Sequence, residues 1–247
     1  MTVALWDVAQ VTAVADAIRA KTGETGTMTV AQMPEKIAAI TTDAPEVWRE
    51  CWLEKPKGSP TTLFIDTGIT SNFEHKLIVK CRSAAAQMSA PFNACPSSGA
   101  RYGINFLPSS NKLQVYWGNY ADTNLTVERG TLDVVQEMNV TQTKSGITIN
   151  GFTSGGNATT WSNTYTATTA SGEVTYKLFT YARNTSIHYG LFRRAEIRNA
   201  ADETLFVIVP EINNRFEARL KITEGDATSY VAIPAGFVCH IDNDAAA

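Results

Sequence analysis

Two clusters of acidic residues are the first places in this sequence where catalysis could be expected. An enzyme that cleaves glycosidic bonds needs two carboxyl groups roughly 5–9.5 Å apart across a cleft. The first cluster consists of Glu211, Glu217 and Glu224. Glu217 and Glu224 lie an odd number of positions apart, so on one regular strand they would face opposite sides. The second cluster straddles a glycine and consists of Glu128, Asp133 and Glu137. Neither spacing predicts a catalytic pair.

Histidine and cysteine residues also lack the spacing of metal ligands or catalytic groups. The histidines are scattered at His75, His188 and His240. The cysteines include no C-x-x-C pair and lie at Cys51, Cys81, Cys95 and Cys239. No serine or cysteine has the surroundings of an activated nucleophile, and Gly155-Gly156 lacks the lysine and the following helix of a phosphate-binding loop. We therefore expect no enzyme activity, no metal ion and no cofactor.

Aromatic residues beside asparagine and aspartate are the remaining candidates, and they predict binding rather than catalysis. Sugar rings present apolar faces that stack on tryptophan and tyrosine, while asparagine and aspartate bind the hydroxyl groups. Residues 117–122 combine these types on a predicted loop, and the candidate glycan contacts there are Trp117, Asn119, Tyr120 and Asp122. Trp161, in the stretch 161–165, is the second candidate. The alternative for Trp117 is that it ends a strand and fills the edge of the core.

The composition is typical of a folded chain with a large core. The 247 residues are 44% hydrophobic and 18% charged, unlike disordered chains. The formal net charge of -3 argues against a surface that coats nucleic acid, because such a surface needs a basic stripe. No apolar run approaches the roughly 18 residues of a membrane span. Residues 1–16 include two aspartates and indicate an amphipathic helix rather than a secretion signal, so we expect reduced cysteines.

Residues 1–40 show the periodicity of short helices. The spacing predicts a first helix from about Leu5 to Ala20, ended by Gly23, and a second short helix capped by Thr29. Two helices this short bury too little apolar surface to be stable alone. They need the sandwich, another copy of themselves or a larger assembly to pack against, and we predict that their apolar stripe is an assembly face. That face consists of Val8, Val11, Val14, Ile18, Met33 and Ile37. A polar, proline-ended linker follows at 41–45.

From Leu63 onward the pattern changes to short alternating runs. Leu63–Ile65 predicts the first strand, and the turn-forming residues 66–68 predict a tight bend after it. Leu77, Val79 and Cys81 should share one face of the next strand. Further strands are predicted at 102–106, 112–117, 147–151, 174–182, 187–197, 205–209, 216–222 and 230–241, with loops at 84–99 and 118–122. Pro210 and Pro234 should lie at strand ends. Roughly a dozen short strands without interleaved helices predict an all-β sandwich or barrel.

The helical region resembles a segment of known phage proteins. Its residue order is Val-Ala-Asp-Ala-Ile-Arg-Ala-Lys-Thr-Gly at 14–23, a Thr/Gly turn, and Met-Thr-Val-Ala-Gln-Met-Pro-Glu-Lys-Ile at 28–37. This order resembles a short segment of tail, baseplate and fibre-type structural proteins of bacteriophages and prophages of Gram-positive hosts. The resemblance implies a joining or oligomerising element ahead of a variable distal domain. The alternative is a helical hairpin without an assembly role.

A second resemblance covers about residues 47–210. It rests on the order of Leu-Phe-Ile-Asp-Thr-Gly-Ile (63–69), Tyr-Gly-Ile-Asn (102–105), Lys-Leu-Gln-Val-Tyr-Trp-Gly-Asn (112–119), Gly-Ile-Thr-Ile-Asn-Gly (146–151) and Tyr-Lys-Leu-Phe-Thr-Tyr-Ala-Arg-Asn (176–184). This order resembles the concanavalin-like, laminin-G-like jelly-roll sandwiches of phage and Gram-positive surface proteins. The usual Val-Pro motif is present at 209–210, whereas 216–241 departs from the usual ending. The resemblance leaves open a calcium ion at Asp66 or Asp122.

Together these observations predict a helical joining or oligomerisation segment with its linker (1–44) followed by a laminin-G-like β-sandwich (45–247). The resemblances imply a phage virion structural protein, assembled in the host cytoplasm, that displays the sandwich for adhesion to a host surface or glycan. Its expected partners are copies of itself, with a trimer as the first expectation, other virion proteins and a host glycan. Nucleic acid binding and membrane insertion are not expected. The alternatives are a carbohydrate-binding receptor domain without a scaffold role and, disfavoured by the carboxylate spacing, a glycan depolymerase.

Overall fold

The structure is a computed structural model, and it describes the greater part of the chain. The described residues are 8–22, 26–37, 46–56, 58–60, 62–82, 91–94, 101–107, 112–126, 137–154, 157–169, 172, 174–180 and 190–241. The chain divides into two compact units. The helical unit consists of Met1–Val47 with Asn213–Arg215, and the β unit consists of Trp48–Ile212 with Phe216–Ala247.

The helical unit contains the two predicted helical segments. Helix α1 spans Val8–Thr22, and a 3-10 helix at Val30–Gln32 continues as one helical turn over residues 33–37. Thr29 caps the second segment as predicted: its N–H donates to Gln32 Oε1 (2.9 Å), and the Gln32 N–H donates to the Thr29 carbonyl (3.0 Å). The predicted stop at Gly23 and the linker at 41–45 lie outside the described residues.

The apolar side chains of the helical unit pack mainly on one another. Ala15, Ile18 and Met33 are buried together. They are surrounded by partly buried residues, namely Val11, Val14 and Met28. The prediction that Ile18 and Met33 belong to an open assembly face is therefore wrong, because α1 and the segment after it cover these two side chains. Val30 and Ile37 remain exposed, at 63% and 45%. The side chain of Val8 lies outside the described residues.

The β unit consists of short strands. In chain order they are β1 (Trp48–Glu50), β2 (Trp52–Lys55), β3 (Ile65–Thr70), β4 (Lys76–Arg82), β5 (Asn93–Ala94), β6 (Arg101–Leu107), β7 (Lys112–Gly118), β8 (Tyr120–Thr126), β9 (Glu137–Thr143), β10 (Gly146–Ser154), β11 (Asn157–Thr164), β12 (Thr175–Leu178), β13 (Gly190–Arg198), β14 (Thr204–Asn213), β15 (Ala218–Glu224), β16 (Ala227–Ala232) and β17 (Val238–His240).

These strands form two sheets in the described part of the chain. The larger sheet follows the order β11-β10-β9-β4-β13-β14-β15-β16, with β1 paired to β14 and with β2 paired to both β13 and β17. The smaller sheet follows the order β3-β12-β5-β6-β7-β8. Neighbouring strands along both orders run antiparallel. Hairpins such as β6–β7 and β9–β10 join strands that are adjacent in sequence.

One apolar core lies between the two sheets. Strand β4 shows the predicted alternation, because Leu77, Val79 and Cys81 are buried and the residues between them are half-buried. Ile104 and Val115 of the smaller sheet belong to the same cluster of buried side chains. Two antiparallel sheets with a shared core form a β-sandwich. The predicted mainly-β class is therefore confirmed.

Gln142 joins the two sheets through this core. It lies on β9 of the larger sheet and is 1% exposed. Its Nε2 donates to the Tyr116 carbonyl (3.0 Å) and, more weakly, to the Gly103 carbonyl (3.4 Å) of the smaller sheet, and to the Tyr165 hydroxyl (3.3 Å). A buried amide that is bonded on both sides fixes the position of one sheet on the other.

Three local predictions differ from the structure. Residues 66–68 lie inside β3, where the Asp66 carboxylate accepts from the Gly68 N–H (3.0 Å) and the Gly68 φ of +74° interrupts the regular pairing with β12. The predicted bend is thus an irregularity within a strand. Pro210 lies inside β14 rather than at its end, and its carbonyl accepts from the Cys51 N–H (3.0 Å), which keeps the strand paired. Strand β5 lies within the loop predicted at 84–99.

Candidate functional site

The predicted loop at 118–122 is instead a tight hairpin between β7 and β8. Trp117 lies opposite Tyr120, so Gly118 and Asn119 alone form the turn. Gly118 has a φ of +57°, and an added Cβ would lie 2.4 Å from the Thr168 carbonyl. A Gly-Asn pair suits the left-handed turn geometry that closes two-residue hairpins. Asp122 therefore lies within β8, opposite Val115, and its side chain is outside the described residues.

Trp117 belongs to the core. Its side chain is 0% exposed, its indole N–H donates to the Phe73 carbonyl (3.0 Å), and its ring meets the ring of Tyr102 edge-on with centroids 5.3 Å apart. A ring enclosed on both faces cannot stack on a sugar. The prediction of a glycan contact at Trp117 is therefore contradicted, and the alternative that it fills the core is the observed one.

The other predicted contacts lie on two separate elements. Asn119 is exposed, and its Oδ1 accepts from the Thr168 N–H (2.9 Å), while the ring of Tyr120 stacks on Tyr165 with centroids 4.3 Å apart. These contacts attach the hairpin to the segment that follows β11. Trp161 lies on β11, the edge strand of the larger sheet, opposite Ile149, and packs half-buried against the core. Asn119 is exposed, and Tyr120 and Trp161 are half-buried, so all three keep part of their surface open.

Glu211 and Cys51 each interact with a neighbouring side chain. Glu211 is buried and accepts from Arg219 (3.0 Å), whose guanidinium lies between the rings of Trp48 and Tyr230, 3.6 and 3.7 Å from their centroids. In the described residues Cys51, Cys81 and Cys239 form no disulfide bond. The hydrogen bond to Cys239, together with burial, raises the pKa of the Cys51 thiol.

The described residues contain no group of three histidine, cysteine, aspartate or glutamate side chains placed to hold a metal ion. At the calcium position left open by the sequence, the Asp66 carboxylate accepts hydrogen bonds from the Gly68 N–H (3.0 Å) and the Thr175 hydroxyl (2.9 Å) and lies 3.5 Å from Lys177 Nζ. Hydrogen-bond donors and a cation beside a carboxylate compete with a calcium ion. Across the described helices, none has the length and apolar character to span a membrane.

A cleft of about 570 Å³ lies where the two sheets separate at one end of the β unit. One wall is formed by residues 67–72 of the smaller sheet's edge and by His75, and the opposite wall by β14, β15 and β16 of the larger sheet. The sequence did not identify this cleft. Its volume lies within the range of pockets that bind small ligands in proteins.

The wall formed by the larger sheet carries polar residues at positions that face the other sheet. Ile222 is buried in the core, and Ser229 lies directly opposite it on β16, so both face the smaller sheet. By the same alternation Glu224 and its partner Ala227 face inward as well. Strand β16 is nevertheless exposed along most of its length, because the smaller sheet does not cover it. The inner face of the sandwich is therefore open at this end.

The wall formed by the smaller sheet carries a connected set of hydrogen-bonding groups. The Asn72 N–H donates to the Tyr176 phenol oxygen, which lies 3.2 Å from His75 Nδ1. Burial lowers the pKa of His75 and raises the pKa of Tyr176, so both groups are neutral near pH 7. Ser71 is 7% exposed, and its buried Oγ has no hydrogen-bond partner among the described residues.

No model of a protein family matches the chain. No curated protein sequence matches it either.

Proposed function

We propose that this chain is a structural protein of a bacteriophage particle, in the tail, baseplate, fibre or surface decoration. The β unit, in this proposal a laminin-G-like jelly-roll sandwich, is displayed for adhesion to a host-surface glycan. The helical unit joins the chain to copies of itself, with a trimer as the first expectation, or to other virion proteins. The residue orders at 14–37 and at 63–184 support this function, and no catalytic step is part of it.

The observation that carries the proposal is the division into a small helical unit and a large β unit. In the described part of the small unit, the buried apolar cluster consists of Ala15, Ile18 and Met33. A cluster of this size contributes little stability by itself. Val30 and Ile37 lie exposed in the same unit. Burial of these two side chains between copies would add apolar contact where the unit has least of its own.

Light scattering combined with size-exclusion chromatography tests the assembly role on the full chain. We expect an oligomer, and Val30→Glu and Ile37→Glu should shift it toward the monomer because a charge at an apolar contact is costly to bury. Ala17→Glu is the matched control, since Ala17 is exposed on α1 and outside the apolar set. A monomeric wild-type chain at high concentration would remove the assembly role.

A second candidate is a carbohydrate-binding domain without a scaffold role. The burial of Ile18 and Met33 within the helical unit favours it, because these residues are then unavailable to neighbouring copies. The light-scattering experiment separates the two candidates: the scaffold requires an oligomer that depends on Val30 and Ile37, whereas the simple binding domain does not.

A further inference from the structure

We propose that the cleft between β3 and the β15–β16 end of the larger sheet binds a neutral saccharide, of about two sugar rings. This inference rests on the adhesion function proposed above and names its binding site. The site differs from the aromatic residues that the sequence indicated.

The inward-facing positions of β15 and β16 change from apolar to polar residues toward the cleft. In a closed sandwich these positions carry apolar side chains, as Leu220 and Ile222 do on β15. Two residues further, the same face carries Glu224, and the neighbouring strand presents Ser229. Polar groups on the inner face of a sheet require a polar partner or water. The sandwich is thus built open at this end, with groups that bind hydroxyls rather than extend the core.

Ser71 contributes a buried hydroxyl next to the cleft. The residue lines the cleft, and its buried Oγ lacks a partner within the described part of the chain. A buried hydroxyl without a hydrogen bond destabilises the protein that contains it. Because this Oγ is closed to solvent, a sugar hydroxyl would bond to it only where the ligand opens the wall of the cleft around Ser71.

The charge and the shape of the cleft also favour a neutral sugar. Tyr176 is 0% exposed and its phenol oxygen lies 3.2 Å from His75 Nδ1, so we assign the phenol proton to this bond, because a buried donor needs an acceptor. The imidazole then carries its own proton on Nε2 and is a neutral donor. In the described chain no lysine or arginine lines the cleft, which disfavours anionic sugars. Phe206 and Ile222 supply an apolar surface for the C–H face of a ring.

The test uses the full chain and saturation-transfer difference NMR with a panel of neutral disaccharides built from glucose, galactose, mannose and N-acetylhexosamines. Sialyllactose is the anionic counterpart of lactose. We expect millimolar binding of at least one neutral disaccharide and weaker binding of sialyllactose. Ala227→Phe should abolish the signal by filling the cleft. Ala232→Phe, on the opposite face of the same strand, is the matched control.

Ser71→Ala separates a binding role from a structural one. It should lower affinity roughly fivefold, the effect of one lost hydrogen bond, without lowering the Tm of the free protein, because the hydroxyl has no partner to lose. A lower Tm with unchanged affinity would overturn the role of Ser71.

The outcomes also distinguish the cleft from the wider function. If binding survives Ala227→Phe but is lost in Trp161→Ala, the adhesion function stands and the cleft is the wrong site. If no neutral disaccharide binds, the cleft proposal and glycan adhesion both fail, whereas the assembly role is judged by light scattering alone. Equal binding of lactose and sialyllactose would refute the preference for neutral ligands.

Discussion

Lys55 should make the stability of the β unit depend on pH between neutral and alkaline conditions. Its side chain is 1% exposed, and its Nζ donates to the Leu63 carbonyl (2.6 Å) and, weakly, to the Phe179 carbonyl (3.4 Å). Burial lowers the pKa of Lys55 from 10.5 to about 8. Two carbonyl oxygens do not replace the water around an ammonium group, so the charged form is penalised in the folded protein.

The sign and size of the effect follow from this pKa. Between the folded value of about 8 and the unfolded value of 10.5, the unfolded chain binds more protons, so stability rises with pH. Each unit of pKa difference corresponds to about 1.4 kcal/mol, so the full penalty is about 3 kcal/mol. It is fully present well below pH 8, and about 2 kcal/mol of it is relieved by roughly pH 9.5.

Urea unfolding at a series of pH values, followed by tryptophan fluorescence, measures this rise. We expect the unfolding free energy of the wild type to increase relative to Lys55→Met across this range. Lys144→Met is the control, because Lys144 is half-exposed and pairs with Glu74 (2.6 Å) at the surface, and it should keep the wild-type rise. A wild-type curve parallel to that of Lys55→Met would refute the reasoning.

Three further changes test the contacts described above. Gly118→Ala should lower the free energy of unfolding by about 2 kcal/mol, because a left-handed φ and a close carbonyl oppose the new Cβ. Urea unfolding measures this loss. Gly172→Ala is the comparison, because φ is also positive there but no atom lies within 4 Å of the added Cβ. Gln142→Leu should lower the free energy of unfolding by about 2 kcal/mol, because the hydrogen bonds between the sheets are lost. An unchanged urea midpoint would contradict the role of the amide. Arg219→Met should lower the free energy of unfolding by about 2 kcal/mol, because among the described residues it leaves the buried Glu211 with only Lys221, at 3.5 Å, as a cationic partner. Arg194→Met, at a more exposed ion pair, should change the midpoint far less.

The local structure of several segments followed from neighbouring residues. The 3- and 4-residue spacing of Val11, Ala15 and Ile18 predicted α1, and Thr29 caps the next helical segment as expected. The alternation around Val79 predicted both the strand and its buried face. These elements could be predicted from the sequence because the periodicity of a helix or strand is set by residues a few positions apart.

The candidate binding residues were predicted less well. The run 117–122 has the composition of a sugar-binding loop, but Gly118 and Asn119 close a hairpin and draw Trp117 into the core. Composition cannot distinguish an aromatic ring that binds a ligand from one that fills a core, since both need an apolar surface. The irregularity at Asp66–Gly68 was likewise recognised as turn chemistry but placed outside its strand.

The sequence by itself determined that this protein has a short helical segment followed by many antiparallel strands around an apolar core. Only the tertiary structure decided where that core ends. The cleft exists because β16 extends beyond the smaller sheet, and its walls come from residues near position 70 and near position 228. Which strands pair, and which strand is left uncovered, depends on contacts such as that of Thr67 with Tyr176, 109 positions apart. Local periodicity carries no information about contacts at that separation, so Ser71 and Ser229 become a candidate site only in the folded chain.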